Sequence, residues 1–168
     1  MNKLVIVING AGGVGKDTLC DIAAKYFKVM NISSITPIKE LAAMCGWDGR
    51  KDDKSRKFLS DLKLLTIEYN DFPTAWALER YKEFKASDDQ IMFVHIREPR
   101  EIGKFVLATE GEAKTLLVRG GERMSKTHYG NASDDEVENY SYDLYFLNDT
   151  TLEDAECNFK KLLEELIR

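Results

Sequence analysis

The sequence is poor in the residues that build metal centres and disulfide frameworks. It holds three cysteines and two histidines among 168 residues. No two of the cysteines stand at the spacing of zinc ligands, so a zinc site is not expected. An odd number of scattered cysteines is typical of reduced thiols, and we expect a cytoplasmic protein.

The sequence also lacks long apolar runs and an excess of positive charge. A membrane-spanning helix needs about 20 consecutive apolar residues, and no run approaches that length. The run at 4–8 is likewise shorter than the core of a signal peptide. The net charge of -5 gives no general attraction to nucleic acid. We therefore expect neither a membrane nor a nucleic-acid partner.

Short apolar runs alternate with patterns of helical period along the chain. The runs at 4–8, 31–36, 91–96, 115–118 and 142–147 predict five strands, and helices are predicted between them. This alternation is typical of an α/β domain with a mostly parallel sheet flanked by helices. At 168 residues the chain fits one domain, 1–168.

Two segments stand apart from this alternation. Residues 38–88 are rich in helical patterns, and Phe58, Leu62, Leu65 and Tyr69 step by 4, 3 and 4 along an amphipathic helix. Residues 119–141 are polar and charge-rich, and they predict a lid. His95 lies inside a predicted strand, which favours a core histidine.

A glycine-rich loop follows the first strand and precedes a helix. Its spacing, G-x-x-x-x-G-K, is that of a phosphate-binding P-loop, formed here by Gly10, Ala11, Gly12, Gly13, Val14, Gly15 and Lys16. The glycines let backbone N–H groups face an anion, and the lysine adds a point charge for the terminal phosphates of ATP. A dinucleotide-binding loop would also match the glycines. It has no use for the lysine, however, and expects an acid where Ile35-Thr36-Pro37 stands.

The two residues after the loop lysine bear on the metal. Most P-loops place Ser or Thr next, but this sequence has Asp17 and then Thr18. Asp17 is favourable in the first turn of a helix, and it is also the kind of ligand that holds Mg²⁺. Glu98 is a second candidate for the metal, and it could equally be a helix-start charge.

The order Gly-Lys-Asp-Thr resembles the phosphate loop of phage-type deoxynucleoside monophosphate kinases. It is also similar to animal-type phosphomevalonate kinases, within the nucleoside monophosphate kinase branch of P-loop proteins. Further similar pieces follow in chain order: Pro37-Ile38-Lys39-Glu40, the arginine pair Arg97 and Arg100, the lid arginines Arg119 and Arg123, and the adenine-flanking turn Asn148-Asp149. The resemblance implies a three-layer P-loop NTPase fold, ATP with Mg²⁺, and a second substrate that carries phosphate.

The predicted cations suit phosphoryl transfer. Arg97, Arg100 and Arg119 follow strand ends, where ligands bind in open parallel sheets. Arginine neutralises phosphate oxygens bidentately. We expect residues 10–18 and Asn148 to hold MgATP, and Lys39, Arg97 and Arg100 to bind a small phosphorylated acceptor within the 38–88 insertion. Lys16, Arg119 and Arg123 are the expected catalytic cations.

Several alternatives stay open at this point. The acceptor could be a (deoxy)nucleoside monophosphate, whose base would stack on an aromatic side chain, or a phosphomevalonate-type metabolite. A GTPase switch would need an Asn-Lys-x-Asp motif, which the sequence lacks. An ATP-driven motor or an idle nucleotide-binding module are further candidates. The helical pair at 55–86 could support a homodimer.

Overall fold

A computed structural model describes residues 2–121 and 136–168 of the chain, and five parallel strands form its sheet. Each strand pairs with its neighbours in the same direction, in the order β2-β3-β1-β4-β5. The strands are β1 (Leu4–Asn9), β2 (Val29–Ser33), β3 (Ile91–His95), β4 (Ala113–Gly120) and β5 (Leu144–Asn148). The predicted parallel α/β fold is confirmed.

Six α-helices lie among the described residues. They are α1 (Lys16–Ala24), α2 (Thr36–Met44), α3 (Asp53–Asn70), α4 (Phe72–Ala86), α5 (Pro99–Ala108) and α6 (Leu152–Ile167). A short 3-10 turn at Val137–Asn139 precedes β5. Helices α2, α3 and α4 occupy most of the predicted insertion 38–88, and α3 packs against both of the others.

The central strand shows why the molecule has three layers. All six residues of β1 are buried, as a strand covered on both faces requires. Leu4, Ile6 and Ile8 pack into a core cluster with residues of α1 and α6, whereas Val5 and Val7 pack into a second cluster with α4 and α5. Because side chains alternate along a strand, one apolar run supplies both cores.

The carboxyl ends of all five strands lie at one edge of the sheet. The chain leaves β1 towards β2 on one side, whereas β4 and β5 complete the sheet on the other side. Ligands bind at such a switch point in open α/β sheets. The loop that follows β1 therefore stands at the centre of the expected binding edge.

The boundary between β2 and α2 differs from the prediction. The strand was expected at 31–36, but it ends at Ser33 and α2 begins at Thr36. Pro37 lies within the first helical turn, where its missing N–H would have no partner in any case. The proline therefore starts the helix.

The amphipathic pattern at 55–69 located α3 correctly, but none of the residues of this helix is buried. Leu62 of the apolar stripe is half-buried and Phe58 is 36% exposed, whereas Leu65 is 62% and Tyr69 is 88% exposed. The C-terminal half of the stripe therefore faces outward. The suggested homodimer through this helical pair stays a prediction.

The predicted lid at 119–141 is described only at its ends. Its first two residues, Arg119 and Gly120, are the last two of β4, and β5 begins at Leu144 rather than at Tyr142. Residues 122–135, including Arg123, lie outside the described residues. Within the described ranges, no helix has both the length and the apolar character that crossing a membrane requires.

Candidate active site

The loop after β1 needs glycine at both of its ends. Gly10 has a φ of 152° and Gly15 a φ of 89°, conformations that L side chains rarely adopt. A Cβ at position 10 would lie 2.4 Å from the carbonyl oxygen of Val118. A Cβ at position 15 would lie 2.5 Å from Nδ2 of Asn148. The ends of β4 and β5 therefore press against the loop and fix its path.

The loop opens directly into the N-terminus of α1. Gly15 caps this helix without any side-chain hydrogen bond, which leaves the first backbone N–H groups for an anion. Val14 is buried and anchors the loop in the core, and the half-buried Ala11 packs against the same cluster. The site is thus a rigid cradle of backbone donors.

Lys16 reaches back across the loop it follows. Its Nζ donates hydrogen bonds to the carbonyl oxygens of Gly10, at 2.6 Å, and Ala11, at 2.9 Å. The ammonium therefore lies against the concave side of the loop, the side on which phosphates bind in a P-loop. The role of Lys16 as a phosphate-binding cation stays a prediction.

Two clefts open on opposite sides of the loop and share Gly13. The β2-side cleft lies among the ends of β2 and β3, α1, α2, α3 and α4, and has a volume of about 760 Å³. The β5-side cleft lies among α1, the ends of β4 and β5, and α6, and has a volume of about 990 Å³. One ligand in each cleft would meet at the loop.

The β2-side cleft gathers positive charge. Among the described residues, its lining includes five cationic side chains and two carboxylates: Lys16, Lys39, Arg56, Lys63 and Arg97, with Asp17 and Glu98. The sequence predicted Lys16, Lys39 and Arg97 in this role, and the structure brings them together. In a protein of net charge -5, this is a local concentration of cations.

Helix α3 adds two cations that the sequence analysis did not place at the site. Arg56, Ser60 and Lys63 line the cleft, and their spacing of 4 and 3 puts them on one helical face. This face is opposite the apolar stripe. The Nζ of Lys63 pairs with Glu98 at 2.7 Å, and the lysine side chain is only 12% exposed. The helical period would have grouped Arg56, Ser60 and Lys63 on one face of α3, had it been applied to the polar residues as well.

His95 is not the core residue that its strand position suggested. It is the last residue of β3, half-buried, and it lines the β2-side cleft. Its Nε2 lies 2.9 Å from Oδ1 of Asn31 and 3.7 Å from Sγ of Cys20. Burial lowers the pKa of His95 below its ordinary value. The imidazole is therefore neutral near pH 7 and bonds to Asn31 without adding charge to the cleft.

The thiol beside this histidine is not a reactive group. Cys20 lies on α1 with its side chain buried. Burial, followed by the charges of Asp17 and Asp21, raises the pKa of Cys20 to about 12. A thiol with so high a pKa holds almost no thiolate near neutral pH. Cys20 therefore packs the base of the site.

An aromatic side chain also faces the β2-side cleft. Trp76 of α4 lines it, whereas Tyr69, Phe72 and Tyr81 are not among its lining residues. Tyr81 instead packs edge-on against Phe105, and its hydroxyl donates to Glu112 at 2.6 Å. Of the aromatic residues considered for stacking a nucleobase, Trp76 is the one in position.

The described lining of the β5-side cleft is mostly uncharged. Nδ2 of Asn148 donates to the carbonyl oxygen of Val14 at 2.8 Å, which ties the end of β5 to the loop. Thr18, Gly121, Asp149 and Leu152 also line this cleft. Leu152 is 62% exposed there and offers an apolar surface to a ligand. The predicted contacts Asn148 and Thr18 thus lie on the same side of the loop.

Two predicted arginines lie away from both clefts. Arg100 is exposed on α5 and lines neither. Arg119 is held at the end of β4 by Glu138, to which its Nε and Nη2 donate at 3.0 Å and 2.7 Å. Its guanidinium also lies 4.8 Å from the ring centre of Tyr145. A catalytic role for Arg119 would require it to leave these partners.

The residues present fit a magnesium ion bound together with a nucleotide. No cluster of three or more metal-binding side chains occurs in the described part of the chain. Mg²⁺ bound to ATP needs only one or two carboxylates, because phosphates and water supply its other ligands. Asp17 is exposed beside Lys16 and lines the cleft, whereas Glu98 is paired with Lys63. Asp17 is therefore the better placed of the two candidates.

Comparisons with known proteins bear on the fold. No family model matches the chain, and no curated protein is significantly similar to it in sequence. Among solved structures, it is similar to a protein from Chloroflexus aurantiacus that carries a provisional kinase name, at 12% identity and a TM-score of 0.52 over 98% of both chains.

Two further solved structures have lower TM-scores. They are a gluconokinase from Sinorhizobium meliloti, at 16% identity and a TM-score of 0.49 over 98% of this chain and 95% of that one, and a shikimate kinase from Aquifex aeolicus, at 10% identity and a TM-score of 0.48 over 96% and 97%. At identities this low, likeness speaks for the fold alone. The chain thus has a five-stranded parallel α/β fold, and this fold is what it shares with the Chloroflexus aurantiacus protein.

Proposed function

We propose that this protein is an ATP-dependent kinase that transfers the γ-phosphoryl group to a small phosphorylated acceptor. The observation that carries the proposal is the position of the loop from Gly10 to Lys16 between two clefts. Among the described residues, five cations line the β2-side cleft, whereas uncharged groups and a single carboxylate line the β5-side cleft. A donor and an acceptor bound on either side would meet at Lys16.

The β5-side cleft suits the nucleoside part of the donor. Leu152 offers an apolar surface for the adenine, and Asn148 lies beside the loop. The triphosphate would then lie over the backbone N–H groups of the loop and the start of α1. Mg²⁺ held by Asp17 would offset charge on the phosphate oxygens.

The β2-side cleft suits the acceptor. Lys39, Arg56 and Arg97 present positive charge to a phosphate. Trp76 and the Asn31–His95 pair lie in the same cleft and offer a stacking surface and an amide for a nucleobase. These groups favour a (deoxy)nucleoside monophosphate over a phosphomevalonate-type acceptor, which has no base.

The chemistry needs positioning and charge neutralisation more than a base. An acceptor phosphate already carries an ionised oxygen near pH 7, so no side chain must remove a proton from it. Lys16 and the cations of the β2-side cleft would offset the repulsion between donor and acceptor. Further charge from Arg119 and Arg123, on closure of the lid 119–141, stays a prediction.

The proposal is tested by acceptor-dependent release of ADP. Purified protein with ATP and Mg²⁺ is mixed with each of the nucleoside and deoxynucleoside monophosphates and with phosphomevalonate. Transfer to one acceptor is the expected result. Lys16→Ala should lower its rate by about 100- to 1,000-fold, as expected for the loss of a group that stabilises transition-state charge.

Lys57→Ala is the matched control, because Lys57 lies on the exposed face of α3 and pairs with Asp61. It should leave the rate unchanged. Unchanged transfer in Lys16→Ala would contradict the scheme. Hydrolysis without acceptor dependence would favour a switch or a motor, and tight ATP binding without turnover would favour an idle module.

A further inference from the structure

The buried side-chain amide of Asn9 joins the loop after β1 to the segment that follows β3 and to the segment that precedes β5. Asn9, the last residue of β1, is 1% exposed. Its Oδ1 accepts a hydrogen bond from the N–H of Gly10 at 2.9 Å. Its Nδ2 donates to the carbonyl oxygen of Arg97 at 2.9 Å and to the hydroxyl of Tyr142 at 2.8 Å. Both amide hydrogens and one lone pair are thus used.

The network continues through the tyrosine to a third segment. The hydroxyl of Tyr142 donates to the carbonyl oxygen of Val137 at 2.8 Å, and Tyr142 is 6% exposed. Val137 begins the 3-10 turn that carries Glu138, the partner of Arg119. The side chains of Asn9 and Tyr142 therefore connect three segments. These are the loop at Gly10, the backbone at Arg97 after β3, and the 3-10 turn whose Glu138 bonds to Arg119.

The amide at position 9 has no simple substitute. The five preceding residues of β1 are apolar, and an apolar residue here would leave the Gly10 N–H and the Arg97 carbonyl without this partner. Buried polar groups that lose their hydrogen-bond partner destabilise a folded protein. Aspartate would accept from Gly10 but could not donate to Arg97. Asparagine at position 9 is therefore explained by its three hydrogen-bond partners and not by the apolar pattern of β1.

We infer that Asn9 and Tyr142 are positioning residues that set the phosphate loop relative to Arg97, and hence the donor relative to the acceptor. The inference rests on the proposed function. Asn9 borders the β2-side cleft but is 1% exposed, and Tyr142 is 6% exposed, so neither side chain offers much surface to a substrate. They act by holding two strand ends whose separation decides whether the two phosphates meet in line, and errors of about 1 Å in such geometry can lower rates 100-fold.

Tyr142→Phe is the first test, because it removes one hydroxyl and keeps the ring in the core. We expect the transfer rate per ATP-binding site to fall about tenfold, with the Kd for ATP within twofold of the wild type. Tyr26→Phe is the control, since the hydroxyl of Tyr26 bonds only to Glu156 on the surface among the described residues. It should change neither quantity. Asn9→Ser, which shortens the donor, should lower the rate further.

Amide hydrogen exchange supplies a readout that needs no turnover. Tyr142→Phe should raise exchange together in residues 10–16, 96–98 and 137–139, and Tyr26→Phe should not. A normal rate per ATP-binding site with only a lower Tm would overturn the inference, as would faster exchange confined to 137–139. If the wild type transfers no phosphate, the proposed function is wrong, and the exchange pattern alone decides whether the network holds the loop.

Discussion

The two clefts on either side of the phosphate loop differ in the charge of their lining side chains. Among the described residues, the β2-side cleft has five cations and draws four of them from outside the loop. The described lining of the β5-side cleft has no cation and one carboxylate, Asp149. This difference in charge is the basis of the proposed assignment, with the acceptor in the β2-side cleft and the donor base in the β5-side cleft.

Removing charge from the β2-side cleft should have the largest effect on the acceptor. Each charge-assisted hydrogen bond to a phosphate contributes about 1.5 kcal/mol, which is roughly tenfold in affinity. We expect the double variant Lys39→Ala/Arg56→Ala to raise the acceptor KM about 30-fold, because both side chains are exposed and screened. Steady-state kinetics with each substrate varied in turn would measure it. An equal rise in the KM for ATP would contradict the assignment of the two clefts.

Replacing the aromatic wall of the same cleft should distinguish a nucleotide from another acceptor. Base stacking on an aromatic ring contributes about 1–3 kcal/mol. Trp76→Leu should therefore raise the KM for a nucleoside monophosphate about tenfold and leave the KM for ATP unchanged. If the preferred acceptor carries no base, the same variant should have little effect, and the proposed nucleotide specificity would be wrong.

On the opposite side of the loop, one amide should affect the donor alone. Asn148→Ala removes the hydrogen bond to the carbonyl oxygen of Val14. A bond of this kind contributes about 1 kcal/mol, so the Kd for ATP should rise roughly fivefold. Calorimetric titration with a non-hydrolysable ATP analogue would measure it. A change in the acceptor KM without a change in ATP affinity would reverse the assignment.

The smallest predicted effect concerns pH. Burial lowers the pKa of His95 in the folded protein below its ordinary value of 6.5. The unfolded chain therefore binds more protons than the folded protein just below pH 6.5, and the stabilisation from neutral His95 is lost as the pH falls through the folded pKa. The unfolding free energy of the wild type should fall more steeply below pH 6.5 than that of His95→Gln. Urea unfolding of both proteins from pH 7.5 to pH 5 would test this, and parallel curves would contradict it.

The sequence predicted the strand, glycine-rich loop and helix around Gly10 to Lys16 correctly because their geometry is local. Gly10, Gly15 and Lys16 act within one strand-to-helix turn, and the buried strand before them is visible as an apolar run. Lys39 and Arg97 were predicted at the site because each follows a predicted strand. Arg56 and Lys63 were not placed at the site, since nothing in the sequence shows which face of α3 meets a neighbour.

Helix α3 shows how the usual sequence rule can mislead. An apolar stripe normally marks the buried face of a helix, because burial of apolar surface stabilises the fold. Here Leu65 and Tyr69 of the stripe are exposed, and the face that carries Arg56, Leu59 and Lys63 lines the cleft. His95 was misjudged in a related way, because a strand-end residue borders either core or cleft according to what packs above it.

The sequence by itself determined the alternation of strands and helices, the phosphate loop and the approximate position of each strand end. These follow from side-chain periodicity and from the backbone demands of glycine. Tertiary structure alone decided which charges share a cleft, that Glu138 holds Arg119, and that Asn9 bonds to partners 88 and 133 residues away along the chain. Such contacts depend on which strands are neighbours in the sheet, and no local sequence pattern encodes that arrangement.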